Sequence, residues 1–176
     1  SNILVGVLCD DYTALNYFDK QVLSLGTSVG GDVQLVEMSG EYMPGGMGGL
    51  DTLSYLLVNS YDTSKLSERQ IQVLEDWVAQ GGVLVVGCGA DYQQTVSALG
   101  GLFSVKTGGM GSGSLQNVGQ KGKGLKYGQQ DGILELILED GEKLDSVLTD
   151  SKLIWRRAYK NGSVTVTAMN LGMQPV

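Results

Sequence analysis

Cys88, the carboxylates Asp10, Asp11, Asp62 and Asp91, and the tyrosines Tyr12, Tyr61 and Tyr92 are the side chains whose types and positions could do chemistry. The acids and rings fall just past apolar runs, in Cys9-Asp10-Asp11-Tyr12, Asn59-Ser60-Tyr61-Asp62 and Gly87-Cys88-Gly89-Ala90-Asp91-Tyr92. Carboxylates gathered at one rim could hold a hard cation, Mg²⁺ or Ca²⁺, through oxygen ligands, and so support a hydrolase or transferase. The same acids have a plainer use, because Asp11, Asp62 and Asp91 each precede a helical pattern and can cap it. Three tyrosines among acids suit a sugar or peptide ligand; the alternative is rim rings packed under loops. A cysteine is a nucleophile only as thiolate, and with an ordinary pKa of about 8.5 it needs a basic partner to reach that form near neutrality. The sequence contains no histidine. Cys-His and Ser-His catalysis and the usual zinc sites are therefore absent from within this chain.

Other chemistries are excluded on similar grounds. A net charge of −7 argues against nucleic acid as a partner. No apolar stretch approaches the 18 residues that a membrane span needs. Gly108 to Ser114 lacks the Gly-Lys-Ser/Thr of a phosphate-binding loop. Lys106-Thr107-Gly108 has no Ser-x-x-Lys to accompany it, and Asp10-Asp11 would repel a flavin phosphate. No cofactor and no resident metal is expected. Lys121, Lys123 and Lys126, spaced by glycines, read as a solvated loop that could touch an anionic polymer. Cys9 and Cys88 read as small buried hydrophobes, with a disulfide as the alternative if their strands lie close.

The elements that must position these groups alternate between strand and helix. Ile3 to Cys9 is unbroken apolar sequence, as in a strand covered on both faces. Leu15, Phe18, Val22 and Leu25 make one helical face, ended by Gly26. Val33 to Met38 and Leu53 to Val58 read as the second and third strands. Ser67 with Gln70 forms a capping box ahead of the stripe Ile71, Leu74 and Val78, and Gly81-Gly82 stops that helix. Val83 to Val86 is the fourth strand, and a short helix follows over Gln93 to Leu99. This alternation predicts a single α/β domain over 1–176 with a doubly wound, mostly parallel sheet in the flavodoxin-like order 2-1-3-4.

Composition changes near Gly100-Gly101, so residues 1–100 form the βαβ core and 101–176 a different architecture. Residues 1–100 hold 12 acidic and three basic residues, and the remainder seven acidic and nine basic. Eleven glycines fall within 100–132, which predicts loops and irregular strands rather than helix. Ile133 to Leu138 is a strand candidate. Asn161-Gly162 is the strongest hairpin signal, joining 153–159 to 163–169 in a β-rich extension of the same sheet.

The run from Leu66 to Gly89, LSERQIQVLEDWVAQGGVLVVGCG, resembles a segment of class I glutamine amidotransferase-like domains. The ending around Tyr159 to Val166, followed by Met169-Asn170-Leu171-Gly172, is similar to the close of the same domains. The resemblance implies their fold and puts Cys88 near the nucleophile elbow. An active member also needs a His and a Glu, so the resemblance argues against glutaminase activity here. It implies instead a catalytically inactive ligand- or partner-binding domain, of the kind found as extracytoplasmic parts of bacterial envelope proteins, with a purely structural assembly module as a further alternative. Asp10-Asp11 is also similar to phospho-receiver domains, but Asn59 stands where their phosphorylated Asp ends the third strand. Ser1-Asn2 reads as a processed or added end, and the close at 173–176 has no clear terminal element; both suit a segment of a longer protein.

Overall fold

A computed structural model of the chain describes residues 2–10, 32–39, 49–118, 125–137 and 154–172. Among these residues, strands β1 (Asn2–Leu8), β2 (Asp32–Met38), β3 (Tyr55–Asn59), β4 (Val83–Gly87), β7 (Ile154–Tyr159) and β8 (Gly162–Thr167) form one sheet. Their order is β2-β1-β3-β4-β8-β7. β1 runs parallel to β2 and β3, β3 to β4, and β4 to β8; only β7 is antiparallel, hairpinned onto β8. The result is a mixed, mostly parallel α/β sheet whose first four strands lie in the order the sequence pattern predicts.

The strands are apolar on both faces because both faces are covered. Leu56, Val58, Leu84, Val86, Val164 and Val166 pack on one side, and Val5, Val7, Leu57, Val85 and Ile154 on the other. The first face receives helix α1 (Glu68–Ala79) through Val73, Leu74, Trp77 and Val78. The capping box is formed as read from sequence: Gln70 N–H donates to Ser67 Oγ (3.1 Å) and Ser67 N–H to Gln70 Oε1 (2.9 Å). A cap of this kind contributes about 1 kcal/mol. The helix stops at Gly81, whose φ of +127° suits glycine. Gly82 then passes under the Trp77 indole, where any Cβ would overlap the ring. The next helix, α2 (Tyr92–Val96), is shorter than the predicted 93–99, and the chain continues into a 3₁₀ turn at Gly100–Leu102. The helical pattern over 15–25 lies outside the described residues.

Beyond residue 105 the architecture departs from expectation. The glycine-rich segment forms long strands, β5 (Lys106–Val118) and β6 (Leu125–Ile137), paired antiparallel with each other as a separate two-stranded sheet. Among the described residues beyond 105, only the β7–β8 hairpin extends the main sheet. Register shifts interrupt the β5–β6 ladder at several points, and Gly132 has a φ of +75°. Glycines tolerate such bulges where other residues resist them. Two-stranded ribbons are marginal alone. This one is anchored where Leu134 and Leu136 enter the core and where Leu134 N–H donates to Ala168 O (2.8 Å).

The β7–β8 hairpin forms where predicted, with its turn one residue earlier. Tyr159 pairs with Gly162, so Lys160 and Asn161 are the central turn residues, with Lys160 at φ +51°. Gly162 is therefore free of the turn and serves close packing: a Cβ there would collide with the main-chain oxygens of Val78 and Gly82. Asn161 N–H donates to Ala79 O and Ser163 N–H to Gly82 O, both at 3.1 Å, which fastens the hairpin to the end of α1.

Candidate functional site

In parallel α/β sheets, ligands bind outside the carboxyl ends of the strands. Here those ends carry Cys9-Asp10 after β1, Ser60-Tyr61-Asp62 after β3, Cys88-Gly89 after β4 and residues 168–172 after β8. Backbone bonds join them: Asp10 N–H donates to Ser60 O (3.1 Å) and Cys88 N–H to Thr167 O (2.9 Å).

Asn59 is a buried polar group at this edge, 1% exposed at the end of β3. Its Oδ1 accepts from Leu171 N–H (2.9 Å), and its Nδ2 donates to Asn170 Oδ1 (3.1 Å). Asn170 Oδ1 also accepts from Gly172 N–H (2.7 Å), and Asn170 Nδ2 donates to Ser60 Oγ (2.6 Å). Two amides thus clasp the segment after β8 across the ends of β3 and β4. Room for the clasp comes from glycine: a Cβ on Gly87 would run into Asn59 Oδ1, and one on Gly89 would lie 3.0 Å from Asn170 Cβ. Ser60, at φ +47°, holds a left-handed conformation rare outside glycine and asparagine, a kind of strain that clusters at functional sites.

The described acids each have their own surroundings. Asp10 pairs with Lys65 (3.1 Å) with both side chains about half exposed, 52% and 55%, and the Lys65 ammonium lies 5.5 Å from the Tyr61 ring centroid. The Asp10 hydrogen bond raises the Lys65 pKa. Asp62 acts as a cap, accepting from Ser64 N–H (3.0 Å) and Ser64 Oγ (2.6 Å); these bonds hold its carboxyl below the usual range. Asp91 precedes α2 but makes no side-chain cap bond. Among the described residues no group of three or more His, Cys, Asp or Glu side chains is arranged to hold a metal ion. Tyr61 is 5% exposed and belongs to the core, and Tyr92 packs partly buried against it. Asp11, Tyr12, Lys121 and Lys123 lie outside the described residues.

Cys88 is fully buried, and Cys9 is buried on the opposite face; the two do not form a disulfide. Burial first, and the Asp91 charge second, push the Cys88 thiol up to about 12. It is a thiol, not a thiolate, at any neutral pH. The unfolded chain would release that proton near pH 9.0. The folded state holds it more tightly, so the stability this group contributes is full below about pH 9 and falls as pH rises toward 12. Urea titrations at about pH 8 and about pH 10.5 should show a steeper loss of stability in the wild type than in Cys88→Ala. Equal losses would remove Cys88 as the cause.

Sequence reasoning missed the Asn59–Asn170 clasp. Its one visible sign is an Asn in the place where related architectures put a reactive acid, opposite the glycines at 87 and 89.

No family model matches this chain, and no curated protein matches it by sequence. Its fold does recur among solved structures. A cytoplasmic protein from Salmonella typhimurium LT2 superposes with a TM-score of 0.59 at 14% identity, covering 97% of this chain and 88% of that protein. A second cytoplasmic protein from Salmonella typhimurium gives 0.61 at 12% identity, covering 96% and 87%. A cold-adapted β-galactosidase from Rahnella sp. R3 gives 0.52 at 12% identity, covering 96% of this chain but only 28% of the enzyme. At these identities the likeness is one of fold alone. Both Salmonella proteins are named cytoplasmic, which points away from the extracytoplasmic placement inferred from sequence, and that expectation is corrected accordingly. No described helix is long and apolar enough to cross a membrane.

Proposed function

We propose that this chain is a non-catalytic, amidotransferase-like α/β domain, doubly wound in the flavodoxin manner, that binds a ligand or partner at the C-terminal edge of its sheet. The observation that carries the reading is Cys88. It sits just past β4, near the position of a nucleophile elbow, yet it is fully buried and its thiol is pushed up to about 12. The sequence offers no histidine to deprotonate it. The strand order supports the doubly wound arrangement. The strained Ser60 and the exposed Asp10 support a binding role for the edge.

The test has two arms. Incubation with glutamine should release no ammonia above the protein-free control. Glutamine hydrolysis that Cys88→Ser abolishes would overturn the non-catalytic reading. A thermal-shift panel of glycans, peptides, Mg²⁺ and Ca²⁺ should find a stabilising ligand whose effect is lost in Asp10→Asn/Asp11→Asn. No shift with any of them would sink the binding reading at this edge.

A further inference from the structure

We infer that Asn161 is a self-modification site, where the chain converts its own asparagine to isoaspartate and so unfastens the β7–β8 hairpin from α1. Of the chain's six asparagines only Asn161 precedes a glycine. With no side chain at the next residue, that residue's main-chain nitrogen can reach the asparagine's side-chain carbonyl carbon. The Gly162 nitrogen attacks Asn161 Cγ, gives its proton to solvent and expels the amide nitrogen as ammonia. Water then opens the five-membered imide. Opening at the side-chain carbonyl leaves aspartate. Opening at the main-chain carbonyl leaves isoaspartate, with the backbone routed through Cβ and Cγ. In sum one water enters and one ammonia leaves.

The structure selects the same residue. Asn59 and Asn170 have both side-chain amide atoms engaged in the clasp. Asn161 is exposed at the hairpin tip, and among the described residues its side-chain amide makes no hydrogen bond. The turn beside it is strained, because Lys160 holds a left-handed φ of +51° that favours glycine. β7 is the last strand of the sheet on this side.

Attack requires the Asn161–Gly162 peptide to rotate. It has no room to do so while Gly162 lies against the Val78 and Gly82 oxygens. The reacting molecules are therefore those whose hairpin tip has lifted, a local opening that leaves the core intact. The product cannot settle back. Isoaspartate adds a backbone atom to a two-residue turn with no slack, and it puts a carboxylate at the negative end of α1. The bonds from Asn161 N–H to Ala79 O and from Ser163 N–H to Gly82 O are then lost.

The test is to age the protein in mildly alkaline buffer, native and in guanidinium chloride. Peptide mass mapping should find the mass gain of amide-to-acid conversion at Asn161 and none at Asn59 or Asn170 in the native sample. An isoaspartate-specific methyltransferase should label the same peptide. The unfolded chain should convert about tenfold faster, because only the lifted fraction of the native protein reacts. A native sample unmodified at Asn161 after the unfolded chain has fully converted would overturn the site. Equal rates in the two samples would overturn the gating by Gly162. The isoaspartate fraction, separated by anion exchange, should melt at least about 5 °C below Asn161→Asp, which carries the same charge on an ordinary backbone. Equal Tm values would overturn the unfastening. If that variant fails to fold, hydrogen exchange at the Ser163 amide decides, and protection unchanged by ageing would overturn it.

Discussion

Gly162→Ala is expected to destabilise the protein by about 3 kcal/mol, and to do so without touching any side chain. The added methyl would meet the carbonyl oxygens of Val78 and Gly82. Val78 lies in the last turn of α1 and Gly82 just past its end, and neither oxygen can rotate aside as a side chain would. The hairpin must therefore lift off the helix. That loosens the Asn161-to-Ala79 and Ser163-to-Gly82 hydrogen bonds, which hold it there. Gly109→Ala is the control: it too replaces a strand glycine, but a Cβ there meets nothing within 4 Å. It should be neutral or mildly stabilising, because alanine narrows the unfolded ensemble. Urea unfolding of the two variants measures the contrast, and similar costs would show that packing against α1 is not what position 162 requires.

The Asn59 clasp should be nearly as costly to lose. In Asn59→Leu the buried Leu171 N–H has no acceptor, and Asn170 Oδ1 loses a donor. An unsatisfied buried group costs about 1–3 kcal/mol, so the variant is expected to lose about 2–4 kcal/mol and roughly 5–15 °C in Tm. Gly87 supplies an internal check. Gly87→Ala alone drives a methyl into Asn59 Oδ1, whereas in an Asn59→Ala background that atom is gone. The glycine substitution should then be far cheaper in the second background than in the first. Additive costs across the cycle would mean that the two positions do not constrain each other.

Much of the fold is legible in sequence because it rests on local pattern. The apolar run at 3–9, the Ser67–Gln70 box and the stop at Gly81-Gly82 each report on residues a few positions apart, and each forms as read. The β5–β6 ribbon is not legible in this way. Its glycines lower strand propensity, but pairing between its own two halves and anchoring by Leu134 and Leu136 override propensity. The hairpin shows both effects at once. Asn161-Gly162 marks it correctly, yet the turn moves to Lys160-Asn161 because Gly162 is needed against α1. The candidate site was the least legible part. Tyr61 reads as a rim residue by its position after a strand, but its ring turns into the core. Asn59 and Asn170, 111 positions apart, meet only because β8 inserts beside β4, and nothing local encodes that insertion.

That insertion also sets a schedule for synthesis. Val83 of β4 finds its partner Ser163 only 80 positions later in the chain. At the usual 5–20 residues per second, the ribosome takes about 4–16 s to deliver it. Throughout that interval the strand VLVVG presents a bare, apolar edge, the kind of edge that recruits other unfinished chains. The nascent protein is thus most exposed to aggregation when its parallel core is complete but for one strand, and the short C-terminal hairpin acts as the seal that ends the hazard.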